Sequence, residues 1–382
     1  MNHQETINFI RSLYKTDDFI PLHAPVFSGN EKAYLNECID STFVSYVGRF
    51  VGQFEEATAK YTGSPYAVAC VNGTAALHIA LILAGIKEGD EVICPALTFV
   101  ATANAVSYCR AYPLFVDSEK STLGLNPEKL DDWLQKNTRM GDDGFSYNIH
   151  NNRRISICVP MHTFGHAVRM DELMDVCARF NITIVEDAAE SLGTFYKGKH
   201  TGTFGKLGIL SYNGNKTITT GGGGMILTSD EQLAQRAKHI TTTAKVPHKW
   251  EFMHDEIGYN YRMTNVSAAI GLAQMEKLEF YLKSKRETAQ QYVDFFAHRD
   301  ADFFKEREFC ESNYWLNVLM LPDSHERDAF LKCTNDAGVM TRPIWNLMNK
   351  LPMFESCTRT NLDDAQWLEE RVVNIPSSVR TA

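Results

Sequence analysis

Three short stretches of this chain hold residue types that could act together on one planar, phosphorylated ring. The first is Ser211-Tyr212-Asn213-Gly214-Asn215-Lys216, followed by Thr217-Ile218-Thr219-Thr220 and four glycines, Gly221–Gly224. A lysine amine in such a place can form a Schiff base with an aldehyde. The glycine-rich bend after it lets backbone approach a flat group closely. The second stretch is Val185-Glu186-Asp187-Ala188-Ala189-Glu190. A carboxylate at Asp187, just past an apolar run, can pair with a protonated pyridine nitrogen and keep the ring an electron sink. The third is Asn72-Gly73-Thr74, between an apolar run and a helical pattern. A helix N-terminus offers free N–H groups and the positive end of the dipole, which suits a phosphate. Gly73 permits close approach and Thr74 adds a hydroxyl. Phe99, after Thr98, could stack on the ring, and Gly258-Tyr259-Asn260-Tyr261-Arg262-Met263 reads as a loop entering a helix. Taken singly, each has an ordinary alternative: an N-cap, a strand-end acid capping a helix, a solvated lysine, a core phenylalanine. The glycines are not a nucleotide P-loop, because the G-K-[ST] order is absent and Lys216 precedes them.

The elements that would position these groups alternate in type. Tyr66–Val71, Glu91–Cys94, Tyr112–Val116, Ile155–Pro160, Ile182–Val185, Leu207–Leu210 and Met225–Thr228 read as short buried strands. Thr74–Ala84, Thr98–Ser107 and Met170–Phe180 read as helices between them. That alternation predicts an α/β fold with a mainly parallel central sheet flanked by helices, and ligands at the carboxyl ends of its strands. The polar segment Gln135–Arg154 reads as an exposed excursion, and Val266–Ala297 as one long helix or two. A chain of 382 residues is long enough for two domains. Residues 1–250 are expected to form the larger and 251–382 a smaller C-terminal α/β domain, with the N-terminal segment able to pack on the latter.

Bulk properties exclude several classes. The net charge of −9 argues against non-specific nucleic-acid binding, which relies on basic surfaces. Nine scattered cysteines without a C-x-x-C pair argue against a disulfide framework or zinc knuckle. Neither a signal peptide nor an apolar run of membrane-spanning length is legible, so a cytoplasmic location with no membrane partner is expected. His162 and His166 read as satisfied structural histidines, with no metal-ligand pattern around them, and no metal is expected.

The chain order of these motifs resembles the DegT/StrS type (DegT/DnrJ/EryC1/StrS) of PLP-dependent sugar aminotransferases, over nearly the whole length. The resemblance rests on VNGTAALHIAL (Val71–Leu81), LTFVATANAV (Leu97–Val106), VEDAAESLG (Val185–Gly193), SYNGNKTITTGGGGMI (Ser211–Ile226) and GYNYRMTNVSAAIGLAQ (Gly258–Gln274). It implies the fold type I, aspartate aminotransferase-like architecture and pyridoxal 5'-phosphate as cofactor. By that resemblance Lys216 is the Schiff-base and proton-transfer lysine, and Asp187 the partner of the pyridine nitrogen. Phe99 is the stacking aromatic, and Gly73, Thr74 and Ser211 are the phosphate cradle. Asn260 reaches the phosphate from a neighbouring subunit, which implies a homodimer with active sites at the interface. Gly48, in Tyr46-Val47-Gly48, lines the sugar pocket. Arg342 suits a substrate diphosphate or the donor's carboxylate by bidentate bonding, and equally an ordinary surface salt bridge.

Glu190 departs from the commoner pattern of glutamine or histidine at that place, beside the cofactor's phenolic oxygen. A carboxylate there repels a phenolate unless a proton is shared, so Glu190 is expected to hold one. Within the family, Asn-Gly-Asn-Lys and Val159-Pro160-Met161-His162-Thr163-Phe164-Gly165 look most like 4-aminotransferases of bacillosamine and legionaminic acid synthesis. The implied reaction moves an amino group from L-glutamate to C4 of a nucleotide-linked 4-keto-6-deoxy-N-acetylhexosamine, giving a UDP-4-amino-4,6-dideoxy-N-acetyl-D-glucosamine type of product. The alternatives are another keto position, a GDP-linked sugar, or a non-catalytic sensor of PLP or nucleotide sugar. A dehydratase on the same fold is disfavoured, because those relatives place histidine where Lys216 stands.

Overall fold

A computed structural model describes residues 2–381. Seven short strands form the spine of its large sheet: β1 (Tyr66–Cys70), β2 (Glu91–Pro95), β3 (Tyr112–Val116), β4 (Arg154–Cys158), β5 (Thr183–Asp187), β6 (Leu207–Ser211) and β7 (Gly224–Thr228). They lie in the order β1-β7-β6-β5-β4-β2-β3. Every neighbouring pair is parallel except the two made by β7, which runs against β1 and β6. The strands are apolar on both faces because helices cover both. Helices Gly73–Leu83, Val100–Tyr108 and Glu231–Thr241 pack on one face around Val68, Ile79, Val106 and Ile240. Pro127–Asn137 and Met170–Arg179 pack on the other around Leu114, Leu130 and Leu173.

The excursion at 135–154 departs from its expected solvated form. Thr138–Met140 and Ser146–Asn148 make a hairpin that extends the sheet beside β4. Its polarity is used internally. The amides of Asn148 and Asn151 each donate at 2.7 Å to the carboxylate of Glu91, which is fully buried on β2. A buried acid needs such donors, and hydrophobic periodicity cannot report them.

A second, antiparallel sheet is made of Asp302–Phe303, Asn317–Met320, Val372–Ile375 and Arg342–Pro343, in that order. Leu278–Phe296, Ser324–Asp336 and the first helix, His3–Tyr14, share its core through Ile7, Ile10, Tyr292, Phe330 and Val373. The helical stretch expected at 266–297 is two helices, Asn265–Met275 and Leu278–Phe296, broken at Glu276–Lys277. The first packs with Arg49–Thr62 against the large sheet through Phe54, Ala269 and Tyr212, and the second serves the small one. No helix among the described residues is long and apolar enough to cross a membrane.

Candidate functional site

Five strands of the large sheet deliver the residues singled out by sequence to one edge. Asp187 and Ser211 end β5 and β6, Asn72 and Phe99 follow β1 and β2, and Gly224 opens the antiparallel β7. This is the edge where open α/β sheets place their ligands.

The junction after β1 is shaped for an anion. Asn72 caps the helix Gly73–Leu83, its side chain accepting from Ala75 N–H at 2.7 Å. The first-turn N–H groups of Gly73 and Thr74 have no partner inside the helix and are left for a ligand. The junction is also crowded. A Cβ on Gly73 would lie 2.9 Å from Ser211 Cβ, and one on Gly224 would lie 2.4 Å from the Asn72 carbonyl oxygen. Glycine at both positions therefore brings the helix start, Ser211 and β7 together around one small space. Gly73→Ala is expected to weaken cofactor affinity by about 5- to 100-fold, the scale of overpacking by one methyl. Fluorescence titration with pyridoxal phosphate measures this, and an unchanged affinity would remove the junction from the cradle.

Asp187 is the clearest electrostatic feature. Only 4% of it is exposed. One carboxylate oxygen accepts from Thr102 Oγ1 at 2.8 Å and the other from Ala189 N–H at 3.2 Å. Among the described residues it forms no ion pair. Burial raises its pKa, against the pull of Thr102, Ala189 N–H and the more distant Lys216 and His162. A sealed carboxylate with lone pairs to spare and no cation of its own is costly unless a cation is supplied. A pyridinium meets that need, so the residues fit pyridoxal phosphate with its phosphate at Gly73–Thr74 and its ring nitrogen at Asp187.

Lys216 is within electrostatic reach of Asp187. Its Nζ donates to Glu190 Oε1 at 3.2 Å and sits 3.8 Å from the centre of the Trp315 ring. The other Glu190 oxygen accepts from Phe164 N–H at 2.9 Å. Burial raises the Glu190 pKa to about 7, with Asp187 adding to the rise and Lys216 and Phe164 N–H opposing it. Between 4.5 and about 7 the folded protein holds a proton that the unfolded chain releases. Stability from this group is complete below that window and lost as pH rises through it, by up to about 3 kcal/mol. In Glu190→Gln the urea midpoint of the cofactor-free protein should change less between pH 5 and 7 than in the parent. Equal slopes would mean that Glu190 titrates normally.

Phe164 is held at φ 55°, a left-handed conformation unusual for a bulky side chain. The conformation aims its N–H at Glu190 and its ring at Trp345, 4.8 Å away, with Trp315 at 6.2 Å. Phe99, half exposed, closes the row 6.1 Å from Trp345. The sequence gives no site role to Trp315 or Trp345, and names Phe164 only within the Val159–Gly165 stretch. No local pattern separates them from core aromatics, and only the second sheet brings Trp315 to Lys216 and Trp345 to Phe164.

The other expected residues are placed as follows. His162 is buried, bonded to Glu186 at 3.0 Å and accepting from Val168 N–H at 3.2 Å. His166 is buried edge-on to Phe304 and Tyr314, and burial lowers its pKa to about 3. Asn260 is exposed between Tyr259 and Tyr261, whose rings stack at 5.2 Å. Its segment is tied to β1 by Val71 N–H to the Tyr261 carbonyl and by Arg262, which donates to the Ala69 carbonyl at 3.0 Å and pairs with Glu55 on Arg49–Thr62. Gly48 caps Arg49–Thr62 and lies against Asn265, whose amide carbon a Cβ would meet at 2.0 Å. Arg342 is exposed, donating to Asn335 Oδ1 at 3.0 Å and the Thr341 carbonyl at 2.8 Å. Within this chain the structure groups Gly73, Thr74, Ser211, Asp187, Glu190, Lys216 and Phe99, and leaves Gly48, Arg342 and Asn260 outside that group.

A fold-type-I sheet with a lysine, a buried acid and an anion cradle at one edge defines a PLP-dependent aminotransferase. The chain belongs to the DegT/DnrJ/EryC1/StrS aminotransferase family, which it matches over residues 26–382. Among its relatives are a GDP-perosamine synthase of Escherichia coli, 37% identical over 361 residues and covering 94% of this chain and 93% of the relative, and one of Caulobacter vibrioides, 35% identical over 362 residues with 94% and 93% covered. The PLP form of Spr1654 from Streptococcus pneumoniae shares the fold, with a TM-score of 0.85, 21% identity and 95% of each chain covered. The enzyme is a PLP-dependent sugar aminotransferase, and the expected family, fold class and cofactor hold.

Proposed function

We propose that this enzyme transfers the amino group of L-glutamate to C4 of a nucleotide-linked 4-keto-6-deoxyhexose. The observation that carries the reading is the Lys216–Glu190–Asp187 arrangement: an amine and two buried carboxylates on one small space, one of them without a cation of its own. Pyridoxal phosphate, when bound, supplies an aldehyde that exchanges amino groups and a ring that delocalises the electron pair left by a departing proton. Lys216 anchors it, and the freed amine takes the donor's α-proton and later returns a proton to the accepting carbon. Asp187 keeps the ring nitrogen protonated. Gly73 and Thr74 N–H, with the Thr74 and Ser211 hydroxyls, hold the phosphate. Glu190, carrying a proton near neutrality, donates to the ring oxygen rather than repelling it. Phe99, 6.1 Å from Trp345, would cover one face of the bound ring.

The Asn213-Gly214-Asn215-Lys216 and Val159–Gly165 contexts favour a UDP-linked N-acetylhexosamine leading to a bacillosamine- or legionaminic acid-type product. The names of the GDP-perosamine synthases support a second reading, a GDP-linked sugar without the acetamido group. Incubation with L-glutamate and each nucleotide sugar separates them. Carbon-bound nitrogen at C4 of one product by NMR identifies the substrate, and turnover of neither overturns the reading.

Two copies are expected to share the site. Phe43, Val44, Tyr46 and Val47 on one loop and Trp250, Phe252, Met253 and Ile257 on another are exposed, large apolar side chains on two loops that a partner copy would cover. Asn260 adjoins the second loop. Mixing inactive Lys216→Ala and Asn260→Ala proteins under subunit exchange should therefore restore part of the activity, because a hybrid dimer keeps one complete site. Mixtures as inactive as their parents would place Asn260 in its own subunit's site or in none.

A further inference from the structure

We propose that Trp315 is a second seat for the Lys216 amine, its indole face holding the ammonium form of that side chain whenever it is free of the cofactor. The proposal rests on the reading of Lys216 as the cofactor lysine. Nζ stands 3.8 Å from the ring centre, with the lysine side chain 13% exposed and Trp315 4% exposed. A cation over an indole gains most when both are shielded from water. The ring is fixed at every polar point. Its Nε1 donates to the Asn215 carbonyl at 2.6 Å, the residue next to Lys216, and its backbone N–H donates to Asn313 Oδ1 at 2.8 Å. Its carbonyl accepts from Lys285 Nζ at 3.2 Å and Ser377 Oγ at 2.7 Å. Asn313 also donates to the Glu190 carbonyl at 2.9 Å and Thr217 Oγ1 at 3.3 Å, so one buried amide aligns ring, carboxylate and lysine turn.

The ring shares the amine with Glu190, whose Oε1 accepts from Nζ at 3.2 Å. Glu190 is in contact, and Asp187 is within electrostatic reach. His23 has both ring nitrogens shielded from water, beside the Asn215 backbone. Burial, then the charges of Lys285 and Lys216, hold its pKa well below the usual histidine value, so it adds no competing cation. Lys285 is spent on the Trp315 and Ser377 carbonyls. When the donor's C–H bond breaks, its electron pair stays on the carbon side and the proton forms a new N–H bond on Lys216. The amine gains a full charge in that step, and an aromatic face attracts the charged form far more than the neutral one. It therefore favours the product of proton abstraction. Trp315 is a positioning residue acting through Lys216.

The test uses the full-length protein loaded with pyridoxamine phosphate, in which Lys216 is free. Tryptophan is replaced biosynthetically by its mono-, di- and trifluorinated forms, which keep the ring's shape and weaken its attraction for cations. Acylation of Lys216 by acetic anhydride, read by mass spectrometry, should rise stepwise with fluorine content as the neutral amine gains population. The span expected across the series is about 2- to 30-fold. The kcat should fall in the same order while KM for both substrates stays within about twofold. In a Trp315→Phe background, fluorination of the remaining tryptophans should change nothing. Labelling and kcat that ignore fluorine content in the parent would overturn the proposal and leave Trp315 as packing. The underlying reading fails separately, in a Lys216→Ala protein that still forms the cofactor's visible absorbance.

Discussion

Lys216→Ala is expected to be folded, colourless and inactive. On the proposed function the lysine is at once the covalent anchor and, among the described residues, the only amine in the group at the sheet edge. Loss of acid–base catalysis alone costs about 10²- to 10⁴-fold, and loss of the anchor adds to it, so turnover should fall by about 10⁴-fold or more. The fold has reason to survive. Removing one partner of a buried pair is usually expensive because it strands a charge. Glu190 avoids that penalty: with a pKa of about 7 in the presence of Lys216, it takes up a proton when the lysine is gone, and Phe164 N–H remains its donor. The thermal midpoint should consequently drop by only a few degrees near neutral pH and by more at pH 9, where protonation is costlier. Absorbance of the protein mixed with pyridoxal phosphate checks the anchor. Single-turnover assays check the proton transfer, and added small primary amines should restore part of the rate. A variant that keeps the visible band would make another lysine the anchor.

The large sheet and its site edge were legible because both depend on local patterns. Strands buried on two faces read as short apolar runs, and the residues after them carry chemistry because crossovers return to the same edge. Lys216, Asp187 and Gly73 are nominated this way. The hairpin at 138–148 was missed because Glu91 is satisfied across the sheet by Asn148 and Asn151, a long-range polar match that leaves no periodicity. Trp315 and Trp345 were missed for a related reason. Each lies on a segment of the second sheet's core, and their approach to Lys216 and Phe164 depends on how the two sheets meet. Arg342 is exposed on the second sheet, and both of its hydrogen bonds, to Asn335 Oδ1 and the Thr341 carbonyl, are made by Nη1, which leaves the rest of its fork open to an anion. Residue type nominates a role, while the neighbours decide it.

Asp187→Asn should separate stability from function. In the cofactor-free protein, the buried carboxylate pays for its place only through Thr102 and Ala189 N–H, and burial raises its pKa. The folded state therefore loses stability from this group as pH rises above the ordinary carboxylate range, where the unfolded chain ionises freely. Asparagine has nearly the same shape, accepts from Thr102 and carries no charge. The cofactor-free variant should thus be at least as stable as the parent at pH 8, and its stability should depend less on pH. Adding cofactor should reverse the order. The parent's carboxylate then meets a ring cation, and losing one side of a buried pair costs about 3–5 kcal/mol, or two to four decades in affinity and rate combined. Without the charge the ring nitrogen is no longer held protonated, so the electron sink weakens and kcat falls even when cofactor is saturating. Urea denaturation with and without pyridoxal phosphate, beside kcat at saturating cofactor, gives both halves of the result. A variant destabilised without cofactor, or active with it, would mean that the charge of Asp187 serves the fold rather than the chemistry.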